Sequence, residues 1–269
     1  MILTFAEEAA AAVRTRLPGS PRVAIILGSG LADFAGNLAD PVTVSYGDIP
    51  HYPQPTVPGH VGRLVYGTAD GLPVIAARGR FHYYEGHSLE TVTLPVRLFA
   101  RLGVESIILT NAAGCVCPGW NEGDLMLITG HLDYTFIESA ADPEIISGEP
   151  YHPPQLLDLA RQVAGENGIS IREGVYAWCL GPAFETPAEI REIRALGGHA
   201  AGMSTVPEIR AAAEEGLKVL GISCLTNYAA GMRDQPLNHK EVLDTGRRAK
   251  DTFARLVLGV LERMGIEEL

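Results

Sequence analysis

The chain has 269 residues, 46% of them apolar and 20% charged, a composition that suits a globular protein of one large domain or two small ones. A net charge of −11 excludes the broad basic face of a nucleic-acid binder, but leaves room for a focal anion site of Arg, His and backbone N–H groups. No apolar run approaches the roughly 20 residues that span a bilayer, and the N-terminus lacks a signal peptide's basic start and long apolar core, so we expect a cytoplasmic protein with no membrane partner.

The first predicted element is an amphipathic helix over 4–17, with Ile2, Phe5, Ala9, Val13 and Leu17 along one side. A short apolar run predicts a strand at 23–27, leading into Gly28-Ser29-Gly30. Those glycines and a serine hydroxyl fit either an oxyanion cradle or a plain tight turn. They are not a dinucleotide fingerprint, because Asp33 stands where the third glycine belongs.

Strands follow at 63–66 and 73–77, and after them a stretch both polar and aromatic, Arg78 to His87. It holds two arginines, two histidines, two tyrosines and Glu85, bracketed by Gly79 and Gly86. A solvated loop with an ion pair is the bland reading. We favour a ligand loop, in which the fork of Arg80 grips phosphate, His82 donates beside it and Glu85 fixes a histidine's tautomer or charge.

A helix over 89–102 and a strand over 106–110 lead to Thr110-Asn111-Ala112-Ala113-Gly114. Its small residues allow either close approach of a flat ligand or close helix packing. A strand at 125–128, a helix at 155–167 and a strand at 175–180 come next. Three helix starts then share one device. Thr186 to Glu189 and Thr205 to Glu208 both read as capping boxes with an early proline, and Asn238 to Glu241 has the same spacing. Each has a functional-looking neighbour, Glu185, Ser204 or His239. Helix starts carry positive dipole and free N–H groups, so the three together point to one convergent anion site beside a polar aromatic pocket.

The remaining elements are helices at 187–196, 206–215 and 239–264 and a strand at 219–225. Strands alternating with helices imply an α/β fold with a mixed or largely parallel sheet, with ligands at the carboxyl ends of its strands. Cys115, Cys117, Cys179 and Cys224 read as reduced thiols, because C-x-C at 115–117 has no second ligand pair at zinc spacing.

Taken in order, ILGSGL (26–31), PGHVGRLVYG (58–67), RGRFHYYEGH (78–87), TNAAG (110–114), GDLMLI (123–128), GPAFETPAEI (181–190), GMSTVPE (202–208), LTN (225–227) and NHKEV (238–242) resemble the trimeric, low-molecular-mass purine nucleoside phosphorylases and their methylthioadenosine phosphorylase relatives. The likeness covers nearly the whole chain. It implies a single α/β domain over 1–269, a distorted mixed sheet flanked by helices, and a homotrimer. It implies reversible phosphorolysis of 6-oxopurine nucleosides such as inosine and guanosine, with phosphate as co-substrate and no metal or organic cofactor. Methylthioadenosine phosphorylase and a xanthosine-preferring phosphorylase are the alternatives.

By the same resemblance, Ser29, His60, Arg80, His82, Ser204 and the backbone near Ala112 bind phosphate. Tyr84, Met203 and His239 hold the ribose, and Phe184, Glu185, Thr226 and Asn227 line the base. His82, Glu185 and Asn227 are the expected catalytic residues. Glu185, before a helix start, is expected to stay charged and to accept the ring N–H of a 6-oxopurine. The Tyr228 hydroxyl either extends tolerance to xanthosine or simply packs. The chain departs from the family in a shortened 136–154 segment, where Tyr151 is the guess for an aromatic given to a neighbour, and in Cys115 and Gly130.

Overall fold

Strands β1 (Val23–Ile26) and β4 (Leu72–Arg78) pair in parallel, and their apolar residues leave alternately on two sides. Val23, Ile25, Val74 and Ala76 enter one core, whereas Ala24, Ile26, Ile75 and Ala77 enter the other. Burial on both faces is why each segment reads as an unbroken apolar run. The protein is seen here as a computed structural model that describes residues 2–57, 60–234 and 237–266, the side chains of residues 2, 3 and 239 excepted.

Helices α3 (Pro154–Glu166) and α6 (His239–Ile266) close the first core. The stripe of α6 expected to face it does so, through Phe253, Leu256, Val257 and Val260. Helices α1 (Ile2–Arg14), α2 (Leu89–Leu102) and α5 (Val206–Glu214) close the second. Helix α4 (Pro187–Ala195) covers a smaller cluster with Ile190 and Ile193. Among the described residues no helix is long and apolar enough to cross a membrane.

The remaining strands are β2 (Ala39–Ser45), β3 (Arg63–Ala69), β5 (Ser106–Cys115), β6 (Leu125–Asp133), β7 (Ile146–Ser147), β8 (Ile171–Trp178), β9 (Ala200–Gly202) and β10 (Lys218–Tyr228). They form one mixed sheet in the order β10-β6-β8-β9-β5-β1-β4-β3-β2, with β7 beside β6. Strand β10 also pairs with β5, so the first five strands of that order curl into a closed ring and the rest extend from it. The expected distorted mixed sheet is therefore what forms.

Several boundaries differ from the sequence reading. Helix α1 stops at Arg14, short of Leu17. Strand β8 starts four residues before the predicted 175 and ends at Trp178. Thr110 to Gly114 do not follow a strand but lie inside β5, which runs on to Cys115. Gly28 serves packing rather than a ligand: a Cβ there would sit 2.7 Å from Asn111 Cα. Thr110 Oγ1 ties the same turn down, donating to Ile26 O at 2.9 Å and accepting from Gly28 N–H at 3.0 Å.

Candidate active site

At the carboxyl ends of β1, β4, β5 and β10 the structure opens one cleft. Ser29, His60, Arg80, His82, Ala112 and Ser204 line it together with Tyr84, Met203, Phe184, Glu185, Thr226 and Asn227. Val242, in the first turn of α6, also lines it. His239 opens that helix, but its side chain lies outside the described residues. Of the thirteen residues named from sequence, the remaining twelve share this cleft.

Arg80 is 1% exposed, and its guanidinium is mostly engaged by protein. Nε and Nη2 donate to the two oxygens of Glu208 at 3.2 and 2.7 Å, and Nη1 donates to Thr110 O at 2.6 Å and Ser204 Oγ at 3.3 Å. The side-on fork that sequence reasoning gave to phosphate therefore belongs to Glu208, itself 1% exposed. Four of the five guanidinium N–H groups are thus engaged, and only the second N–H of Nη2 remains for an anion. An uncompensated buried charge is costly, which explains why the carboxylate is there.

Glu208 is also where the second capping box fails. Thr205 does not cap α5: its φ is +74° and ψ −45°, and its side chain makes no cap bond. Val206 N–H instead donates to Ser204 O at 2.9 Å, closing a three-residue γ-turn, a strained conformation for a β-branched residue. By contrast Thr186 and Glu189 form the full reciprocal box on α4, and Asn238 Oδ1 accepts from Glu241 N–H at 2.9 Å.

His82 and Glu85 pair as expected. Glu85 Oε1 accepts from His82 N–H and contacts Nδ1, both at 2.8 Å, while Oε2 accepts from Thr56 N–H at 2.9 Å and Thr56 Oγ1 at 2.6 Å. Burial works to raise the Glu85 pKa, but the bonds from His82 and Thr56 outweigh it and hold it at about 2. Glu85 is thus an acceptor-only carboxylate, so His82 Nδ1 carries the proton. Burial lowers the His82 pKa against the opposing pull of Glu85, favouring the neutral ring. A neutral His82 shows a lone pair at Nε2, so it meets an anion first as an acceptor, not as the donor expected from sequence.

Elsewhere in the cleft, Tyr84 stacks on His82 with ring centres 4.8 Å apart. Burial pushes its phenol up to about 12, so it stays protonated. Gly181 lets the backbone close down here, since a Cβ would lie 2.5 Å from Met203 Sδ and 2.8 Å from Tyr84 Cδ1. Pairing between β10 and β5 slips between Leu225 and Asn227, and such a bulge re-aims side chains beside a site. Asn227 Oδ1 accepts from Thr226 Oγ1, and Nδ2 donates to Tyr228 O, each at 3.0 Å, leaving one amide N–H.

Glu185 departs from expectation in the direction of its pKa. Burial raises its pKa and Glu189 adds to the rise, while its own backbone N–H and the Cys179 thiol offset part of the effect. Its Oε1 is buried with no hydrogen-bond partner among the described residues. Tyr228 packs: its hydroxyl donates to Trp120 O at 2.5 Å, and Arg233 lies over its ring. Tyr151 is half-buried, its ring edge-on to His131, and does not line the cleft.

Sequence reasoning missed Glu208, Thr56, Val242, Gly181, Asn111 and Tyr176, whose hydroxyl accepts from Ser204 N–H at 3.3 Å. All but Tyr176 fall in or beside blocks read for another purpose, and spacing alone cannot show that a glutamate reaches across to Arg80. The four cysteines are free, and among the described residues no group of three His, Cys, Asp or Glu is arranged to hold a metal ion.

Residues 22–262 match the Phosphorylase superfamily. The chain is 45% identical to purine nucleoside phosphorylase 1 of Geobacillus stearothermophilus over 97% of its own length and 98% of that protein's. It is 46% identical to purine nucleoside phosphorylase 1 of Bacillus subtilis, covering 95% and 97%. Among solved structures, isoform 2 of the Schistosoma mansoni purine nucleoside phosphorylase, in complex with cytosine and ribose-1-phosphate, superposes with a TM-score of 0.89 at 32% identity, covering 98% of each chain. A fold and a cleft assembled from the residues that carry the resemblance thus agree with the relatives: the chain belongs to the phosphorylase superfamily, within its purine nucleoside phosphorylases.

Proposed function

We propose that the chain catalyses reversible phosphorolysis of 6-oxopurine ribo- and deoxyribonucleosides, inosine and guanosine foremost, to free base and pentose 1-phosphate. One observation carries this reading: the anion donors around Arg80 and Ser204 share a cleft with Glu185, whose buried Oε1 has no donor among the described residues. A 6-oxopurine offers its ring N–H to that oxygen, whereas a 6-aminopurine offers a lone pair. Solved Schistosoma relatives hold hypoxanthine, guanosine and inosine and also adenosine, which supports a purine nucleoside site without choosing among its bases.

Phosphate sits with Ser29, Ser204, the remaining Nη2 N–H of Arg80, His82 and the backbone at Ala112. His82 Nε2 accepts a proton from a phosphate hydroxyl and, once protonated, donates back to the same oxygen. Tyr84, Met203 and His239 hold the pentose. A phosphate oxygen attacks the anomeric carbon as the bond to the purine breaks; the bonding pair leaves with the base, which takes up a proton. Positive charge builds on the ribose above bound phosphate, and the remaining Asn227 N–H meets the purine nitrogen as it becomes basic. Positioning and electrostatics suffice, so the chemistry needs no metal and no organic cofactor.

Tyr228 gives no reason to favour xanthosine, since its hydroxyl is taken by Trp120 O. The test is turnover of inosine, guanosine, xanthosine, adenosine and methylthioadenosine with phosphate. Efficient cleavage of the first two with adenosine weak supports the reading, and adenosine matching inosine overturns the base assignment. We further propose that residues 1–269 form one cytoplasmic domain that assembles as a homotrimer. Light scattering at micromolar concentration tests the assembly, and a fully active monomer refutes it.

A further inference from the structure

Two buried chains of hydrogen bonds end on one oxygen. Arg80, held by Glu208, donates from Nη1 to Ser204 Oγ at 3.3 Å. On the other side Asn111 Nδ2 donates to Thr205 Oγ1 at 3.0 Å, and Thr205 Oγ1 lies 3.1 Å from Ser204 Oγ. Thr205 is 0% exposed and Asn111 1%; neither lines the cleft.

The direction of the Thr205–Ser204 bond follows from counting protons. An amide nitrogen and a guanidinium only donate, so each hydroxyl oxygen already accepts once and has one proton to place. The Thr205 proton has Ser204 Oγ as its acceptor among the described residues, and a buried hydroxyl proton without an acceptor is costly. Thr205 therefore donates to Ser204. The Ser204 oxygen accepts from both sides, and its own proton can go only towards the cleft, which Ser204 lines.

Resting on the phosphorolysis reading, we propose that Thr205 is a positioning residue: with Asn111 behind it, it makes the Ser204 hydroxyl a fixed donor to phosphate. The strained turn at Thr205, φ +74°, holds that side chain beneath Ser204 instead of at the cap of α5. Anion recognition here comes from oriented donors more than from net charge, because Glu208 already offsets Arg80. A group that only accepts, such as a phosphate oxygen, fits this arrangement.

Thr205→Val keeps the branched shape and removes the hydroxyl; Thr205→Ser keeps the hydroxyl. With the 269-residue chain we expect Thr205→Val to raise the phosphate KM by about 10-fold or more, the scale of a lost bond to a charged group. The nucleoside KM should move less than about 3-fold, and Thr205→Ser should return the phosphate KM towards the parent. An unchanged phosphate KM, a parallel rise in both KM values, or a serine variant as poor as valine overturns the proposal. Should Thr205→Val not fold, Ser204→Ala is compared with Ser204→Ala/Thr205→Ala. If Thr205 acts through Ser204, the second change adds less than about 2-fold to the phosphate defect, and a further large loss overturns it. The rise in Tm caused by inorganic phosphate is read alongside for each variant. It reports the anion site without turnover, so absent phosphorolysis in the parent would fail the functional reading separately.

Discussion

Replacing Arg80 by methionine should damage the protein twice, and the two injuries can be separated. Arg80 and Glu208 are each 1% exposed and joined by two bonds, at 3.2 and 2.7 Å. Removing the arginine strands a carboxylate where water cannot reach it, and breaking a buried pair in this way costs about 3–5 kcal/mol. With about 2.1 cal/mol/K of unfolding entropy per residue, a chain of 269 residues should lose roughly 5–9 °C in Tm. Independently, the lost charge-assisted contact should raise the phosphate KM by roughly 10- to 100-fold. Arg80→Met/Glu208→Leu replaces both partners with apolar groups of similar bulk. It should recover most of the Tm, because no stranded charge remains, yet leave the phosphate KM as poor as in the single variant. Calorimetry at one fixed protein concentration and phosphate saturation curves read the two effects. A single variant that melts with the parent, or a double variant that melts below the single one, would refute the reasoning about the buried pair.

The raised pKa of Glu185 makes base choice depend on pH. The carboxylate is ionised above its pKa and protonates as pH falls, and because burial lifts that pKa, the change should begin above the ordinary 4.5. A protonated Glu185 can donate to the ring nitrogen of adenosine, so the ratio of kcat/KM for inosine over adenosine should shrink as pH drops. Glu185→Gln should show a small ratio at every pH; a ratio that stays constant in the parent down to the acid limit of the fold argues against this role. Tyr228→Phe should cost about 1 kcal/mol of stability, the loss of one hydrogen bond to Trp120 O, without changing the preference among inosine, guanosine and xanthosine. A selective change in xanthosine turnover would show that Tyr228 touches the base.

The parts of the fold that were legible in the sequence are those whose pattern one physical cause dictates. Strands buried on both faces give apolar runs, and the cap at Thr186 needs only local chemistry. The edge strand β2 was invisible because it is largely exposed and carries Pro41, and β9 is three small residues that only its neighbours define as a strand. In the site, residue types located the cleft, but not who bonds to whom. Thr205 and Glu208 have the spacing of a capping box, and the tertiary pull of Arg80 and Asn111 overrides it. The raised pKa of Glu185 is hidden from the sequence for a related reason. Its place before a helix start is written in the sequence, whereas its desolvation depends on distant elements that close over it.

The claim that organises all of this is that phosphate, and not water, attacks the nucleoside. Phosphorus NMR of the protein with inosine and inorganic phosphate tests it most directly. Ribose 1-phosphate should appear in step with hypoxanthine, and base release should fall to the uncatalysed rate when phosphate is removed. Hypoxanthine released equally fast without phosphate, together with free ribose, would contradict the account.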